Sequence, residues 1–153
     1  MKKFLLILAV LMAAAGLGFS AGKTLVYGTT EKMTNMDPAE AYDFHTWEIF
    51  YNVYNGLLNY APGGTQLVPG LAQSFTVNDK GDEFTFKLRK GVKFHNGDPL
   101  TAEDVVFSFL RYKGSLAKAI HGKLEKAEAV TPYSVRIRFK EPFPDFLEYL
   151  LPG

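Results

Sequence analysis

The chain has 153 residues, 47% of them hydrophobic, with 17 Lys and Arg against 16 Asp and Glu and no cysteine. So balanced a charge gives no electrostatic reason to expect a nucleic-acid partner, and the absence of thiols excludes disulfides. The length fits one domain large enough to bury a core.

The N-terminus has the three-part layout of a secretory signal peptide. Lys2 and Lys3 form a basic start, residues 4–11 are an unbroken apolar run, and residues 12–22 are mostly small, with Gly18 and Ser20 at −3 and −1 of a cleavage site. The competing assignment is a membrane-spanning helix. The uncharged stretch over residues 4–21 has 18 residues and an Ala- and Gly-rich second half, short of the roughly 20 predominantly apolar residues a span needs. The expected division is a signal peptide at 1–20 and a mature segment at 21–153. No Cys follows the cleavage site to carry a lipid. The expected product is therefore periplasmic or otherwise extracytoplasmic, exported, and not a lipoprotein. Loss of Lys2 and Lys3 leaves 15 basic residues against 16 acidic ones.

Residues 24–27 (TLVY) form a short β-rich run ended by Gly28, and a polar segment leads from Thr29 to Asp37-Pro38. From His45 to Leu57 the apolar residues Trp47, Phe50, Tyr54 and Leu57 recur at helical spacing, widened by Val53 and weakened at the end by Asn55-Gly56. A loop at residues 61–64 (APGG) follows. Residues 71–77 and 83–88 are expected strands, the second alternating through Phe84, Phe86 and Leu88, joined by the five-residue turn Asn78-Asp79-Lys80-Gly81-Asp82. Residues 92–94 fit a further short strand before Asn96-Gly97.

Thr101 opens the clearest helix. Its hydroxyl is placed to cap the first turn, Glu103 and Asp104 favour the helix dipole, and Pro99 prevents an earlier start. Ala102, Val105, Val106, Phe109 and Leu110 make its expected buried stripe. Residues 112–129 are weakly patterned and expected to be helical in part. Residues 134–139 form a last strand, and 144–151 (PDFLEYLL) begin another helix. The chain stops at Pro152-Gly153 without a polar tail, as a truncated chain would.

Reactive constellations are scarce. Residues 16–24 (GLGFSAGKT) have Leu17 where a phosphate-binding loop requires its first glycine. His45, His95 and His121 stand far apart, which does not suit a metal site, and no Ser occupies a G-x-S-x-G elbow. The acid pairs Asp82-Glu83 and Glu103-Asp104 flank a turn and a helix start, so solvation or capping explains them, although carboxylates that meet only in the fold stay open. Phe84, Phe86, Phe94 and Phe107 are assigned to core packing by their spacing, and so is Trp47.

Three segments together resemble the extracytoplasmic solute-binding proteins of the oligopeptide and dipeptide importers, solute-binding family 5. They are PGLAQSF at 69–75, FTFKLRKGVKFHNGDPLTAEDVVFSF at 84–109 and LVYGTTEKMTNMDP at 25–38. The resemblance implies an α/β fold (mixed α+β) of the periplasmic-binding-protein-like type II, of which this chain supplies only part of the first lobe. It implies no enzyme, no cofactor and no metal. Its partners would be a small solute, most simply a peptide, and a membrane permease driven by an ATPase. Oligosaccharides, nickel chelates and opines are the solutes of other members. Family ligand contacts fall after the first strand, here Thr29, Thr30, Glu31, Lys32 and Met33, with Glu31 suited to a ligand ammonium and Lys32 to a carboxylate. Loops at the carboxyl ends of strands open toward the cleft in such sheets, which agrees with that position. An exported α+β hydrolase and a receptor that presents solute to a sensor are the alternatives.

Overall fold

Strict alternation builds the centre of the molecule. In the strand Glu83–Leu88 (β4) the side chains of Phe84, Phe86 and Leu88 are buried, and in Ser134–Phe139 (β6) those of Val135, Ile137 and Phe139 are. The intervening residues face the opposite side, as a period of two requires. The two strands pair antiparallel, with Phe84 opposite Ile137 and Phe86 opposite Val135. Outside them lie Ala72–Val77 (β3) and Leu124–Thr131 (β5), giving a four-stranded antiparallel sheet in the order β3-β4-β6-β5. A separate two-stranded ribbon pairs Leu58–Tyr60 (β1) with Leu67–Pro69 (β2).

These features come from a computed structural model that describes residues 26, 28–30, 32, 33, 35–41 and 43–151. The signal peptide expected at 1–20 lies outside the described residues, as do Thr24, Leu25 and Tyr27 of the expected first strand; Val26 is exposed and in no strand. The chain divides into two units, residues 1–30 and 31–153. In the first, the described residues Val26, Gly28, Thr29 and Thr30 are all exposed. All elements named here belong to the second.

Helix Ala102–Arg111 (α2) and the 3₁₀ helix Pro144–Leu150 cover the inner face of the sheet. Phe146 is the hub: it is fully buried, with its ring edge-on to Phe139 at 4.7 Å and to Phe84 at 4.8 Å, and further rings of Phe109 and Phe143 at 5.9 Å. Such edge-to-face pairs add to the burial of apolar area. The outer face is a charged ladder. Arg138 donates to Glu83 through Nε at 2.9 Å, Arg136 lies between Glu83 and Glu128, and Lys126 pairs with Glu128 at 2.6 Å. Lys126 holds the Glu128 carboxyl below its ordinary range, with Arg136 and Arg138 adding to the effect.

The helix Phe44–Val53 (α1) starts at Asp43, whose carboxylate accepts the Thr46 N–H at 2.7 Å and the Thr46 hydroxyl at 2.8 Å. It ends earlier than the spacing of Tyr54 and Leu57 suggested. The Gly56 carbonyl accepts from Leu71, and the Leu57 carbonyl from both Gly70 and Ala72, so pairing with the β2–β3 connection takes these groups out of any helix. Gly70 is required there, because a Cβ would lie 2.5 Å from the Gly56 oxygen. Leu57 is buried through this junction and not on a helical stripe.

Other expectations need correction. Residues 92–94 form no strand; a single bridge joins Lys93 to Pro99 around a turn in which Gly97 adopts φ +94°. Residues 112–129 are helical in part, as expected, through Ala117–Lys123 (α3), but from Leu124 onward they belong to β5, which runs to Thr131. Phe94 and Phe107 are not core residues. They are 43% and 67% exposed, because no described element packs over them, and Leu110 is exposed for the same reason. Trp47 is half-buried, its ring edge-on to the exposed Phe44.

Candidate ligand-binding site

Residues 35–41 form a strap across the end of α2. Within it, Asp37 accepts the Ala39 N–H at 3.0 Å, and the Asp37 carbonyl accepts from Glu40 and Ala41. The carboxylate faces the Arg111 guanidinium, one bond running from Nη1 to Oδ1 at 2.8 Å and a second joining Nη2 to Oδ2. This fork geometry suits an Arg–carboxylate pair. The Arg111 bond, and next the Ala39 N–H, hold the Asp37 carboxyl below the usual carboxylate range, while Asp37 raises the Arg111 guanidinium. Lys113 ties down the rest of the strap, its N–H bonding the Ala39 carbonyl at 2.7 Å and its ammonium lying 3.5 Å from Glu40.

The strap forms one wall of a cleft of about 420 Å³. Pro38 and Ala39 line it together with Phe50 and Val53 of α1 and Tyr54 just beyond its end. Val105 and Phe109 of α2 and Leu150 of the 3₁₀ helix contribute further apolar surface. Lys93, His95 and Ser108 bring polar groups to it. Two other polar lining residues are already engaged. Arg111 is held by Asp37, and Asp104 closes the capping box of α2, accepting the Thr101 N–H and hydroxyl, each at 2.8 Å. A cleft of this volume with mainly apolar walls suits retention of an apolar group. Among the described residues no three His, Asp or Glu side chains converge as a metal site would require.

The residues expected to contact ligand are partly in view. Thr29 and Thr30 are exposed at the end of the first unit. Glu31 lies outside the described residues. Lys32 and Met33 are exposed in the second unit, and neither lines the cleft. The strand-end argument for this segment concerns residues 24–27, of which only Val26 is described; the described four-stranded sheet is antiparallel throughout. The sequence carries no local sign of the cleft, because its walls come from segments more than 100 residues apart.

The model of the bacterial extracellular solute-binding proteins, family 5 Middle, matches residues 66–152. The chain belongs to this family. Di/tripeptide-binding protein 2 of Pseudomonas aeruginosa is 32% identical over 147 residues, 82% of this chain and 28% of that protein. Among solved structures, NikZ of Campylobacter jejuni in complex with Ni(L-His) superposes with a TM-score of 0.70 at 25% identity, over 80% of this chain and 25% of that one. OppA of Haemophilus influenzae, in complex with the peptide RPPGFSPFR, gives 0.68 at 26% identity, over 76% and 26%. The fold is the mixed α/β type II periplasmic-binding-protein architecture, over part of its length. The chain spans about a quarter of the length of the curated family 5 relatives it matches. The family and these relatives are binding proteins and not enzymes.

Proposed function

We propose that this chain belongs to the extracytoplasmic solute-binding component of an ABC importer, which captures peptides or related small solutes and delivers them to a membrane permease. The observation that carries this is the likeness to a di/tripeptide-binding protein across 82% of the chain, together with the family match over residues 66–152. In this proposal residues 1–20 are the export signal and 21–153 begin the solute-binding domain. No covalent step is assigned to the chain. Thr29, Thr30, Glu31, Lys32 and Met33 are proposed to contact the solute, a role supported by the exposure of the four that are described. Glu31 would pair with a peptide's ammonium and Lys32 with its carboxylate.

The test uses a chain of the relatives' length that contains these residues. Its melting temperature is followed against di- and tripeptides, oligosaccharides and nickel chelates. A true solute at 100 times its Kd stabilises by about 2.7 kcal/mol through mass action. Glu31→Gln and Lys32→Gln are each expected to weaken the active peptide about tenfold, the loss of one charge-assisted contact. A flat response across the panel overturns the proposal. Turnover of ester, peptide or glycoside reporters would favour the hydrolase instead.

A further inference from the structure

The two edges of the four-stranded sheet are built differently. Edge strand β5 carries Glu125, Lys126 and Glu128 and has irregular register near both ends. Such charges and bulges discourage pairing with another chain. Edge strand β3 reads AQSFTV, has no charge, and is regular from Ser74 onward after one irregularity at its start. Every residue of it from Gln73 to Val77 is exposed.

The register fixes which backbone groups point outward. Asn78 donates its N–H to the Glu83 carbonyl at 3.0 Å, so Asn78 with Glu83 and Thr76 with Thr85 are the hydrogen-bonded pairs. The alternation of an antiparallel ladder then turns the N–H and C=O of Phe75 and Val77 away from β4. Among the described residues no backbone group bonds them. Their side chains lie on the inner face, opposite Phe86 and Phe84, and remain 37% and 40% exposed.

We propose that β3 is a self-association edge, pairing antiparallel with β3 of a second copy of this chain about a two-fold axis at Thr76. In that register Phe75 exchanges both backbone bonds with Val77 of the other copy, and Val77 with Phe75, giving four hydrogen bonds. Each Phe75 meets a β-branched Val across the junction, and the two Thr76 hydroxyls face each other, both favourable cross-strand pairs. The charges flanking the strand agree with this orientation. The turn after β3 holds Asp79 and Asp82 against Lys80, while Arg89 and Lys90 lie near its start, where Arg89 bonds the Gly70 carbonyl at 2.7 Å. Antiparallel pairing brings the acidic turn of one copy beside the basic end of the other. Two six-residue edges bury less than the roughly 1,600 Å² of a standard interface. The dimer is therefore weak and forms at high protein concentration.

Sedimentation velocity of this chain from about 10 µM to about 1 mM, where weak association is visible, is the test. The wild type is expected to shift from monomer to dimer across the range. Thr76→Lys and Thr76→Glu each put like charges face to face on the axis and are expected to weaken the dimer about fivefold. An equimolar mixture of the two variants restores it, because the charges then oppose. Phe107→Lys, on an exposed face remote in sequence from β3, leaves association unchanged. A wild type that stays monomeric throughout, a charged variant that associates like the wild type, a mixture without recovery, or loss of association in Phe107→Lys overturns the proposal.

Discussion

Phe146 and Phe107 are chemically identical side chains on neighbouring helical elements, and they have opposite fates. Phe146 is fully buried, with rings from β4, β6 and α2 around it, whereas Phe107 on α2 is 67% exposed. The difference lies in the number of elements that converge on each position: the sheet and two helices meet at Phe146, and nothing described covers Phe107. The largest predicted effect follows directly. Phe146→Ala is expected to destabilise the fold by about 3–5 kcal/mol through lost transfer and a retained cavity. Phe107→Ala is expected to stay within about 0.5 kcal/mol of the wild type. Urea midpoints of the two variants decide it, and equal losses would break the comparison.

The same contrast explains what the sequence made legible. β4 and β6 were visible residue for residue, because each alternates strictly and buries one face completely. The five-residue turn between β3 and β4 was legible from its Asn, Asp and Gly content. β5 was not, since LEKAEAVT is rich in residues that favour helix, and only pairing with β6 makes it a strand. β1 and β2 have three residues each, too few for a period to emerge. Periodicity placed Phe84 and Phe86 correctly and Phe94 and Phe107 wrongly. It shows which face a ring occupies, but not whether anything packs against that face. The cleft was out of reach for a related reason: the bond from Arg111 to Asp37 spans 74 positions. The resemblance to the family was legible through local blocks, of which residues 69–75 and 84–109 fold as neighbouring strands, a turn and a capped helix.

The comparison sharpens at the junctions between elements. Gly70 sits where two backbones touch, and a Cβ there would meet the Gly56 and Leu57 carbonyls at 2.5 and 3.0 Å. Neither neighbour is a flexible side chain, so Gly70→Ala is expected to cost about 1–3 kcal/mol, as overpacking does. The check is again a urea midpoint. Val68→Ala, in the adjacent strand and only partly buried, is the companion that separates steric conflict from general sensitivity of the ribbon. At the start of α2, Asp104→Ala removes the acceptor for the Thr101 N–H and hydroxyl. The loss of this capping interaction is expected to cost about 1 kcal/mol. Asp104→Asn, which keeps an acceptor, should recover part of it; no recovery would mean that the charge near the helix start matters more than the bond.

The smallest effect belongs to the Asp37–Arg111 pair, and its pH dependence reveals it better than its size. Both side chains are partly exposed, so solvent and salt screen their attraction. The folded-state pKa of Asp37 is depressed, first by the Arg111 bond. A depressed carboxylate contributes stability that is complete above its unfolded value of about 3.9 and is lost as pH falls through the lower folded value. The melting-temperature difference between wild type and Arg111→Met should therefore be constant near neutral pH and shrink below about pH 4. In the variant the Asp37 carboxyl, followed by its carbon chemical shift, should titrate at a higher pH than in the wild type. A difference in melting temperature that persists unchanged into acid would assign the role of Arg111 to the packing of its aliphatic stem along the cleft. The strap would then be held against α2 mainly by its backbone bond from Lys113 to Ala39.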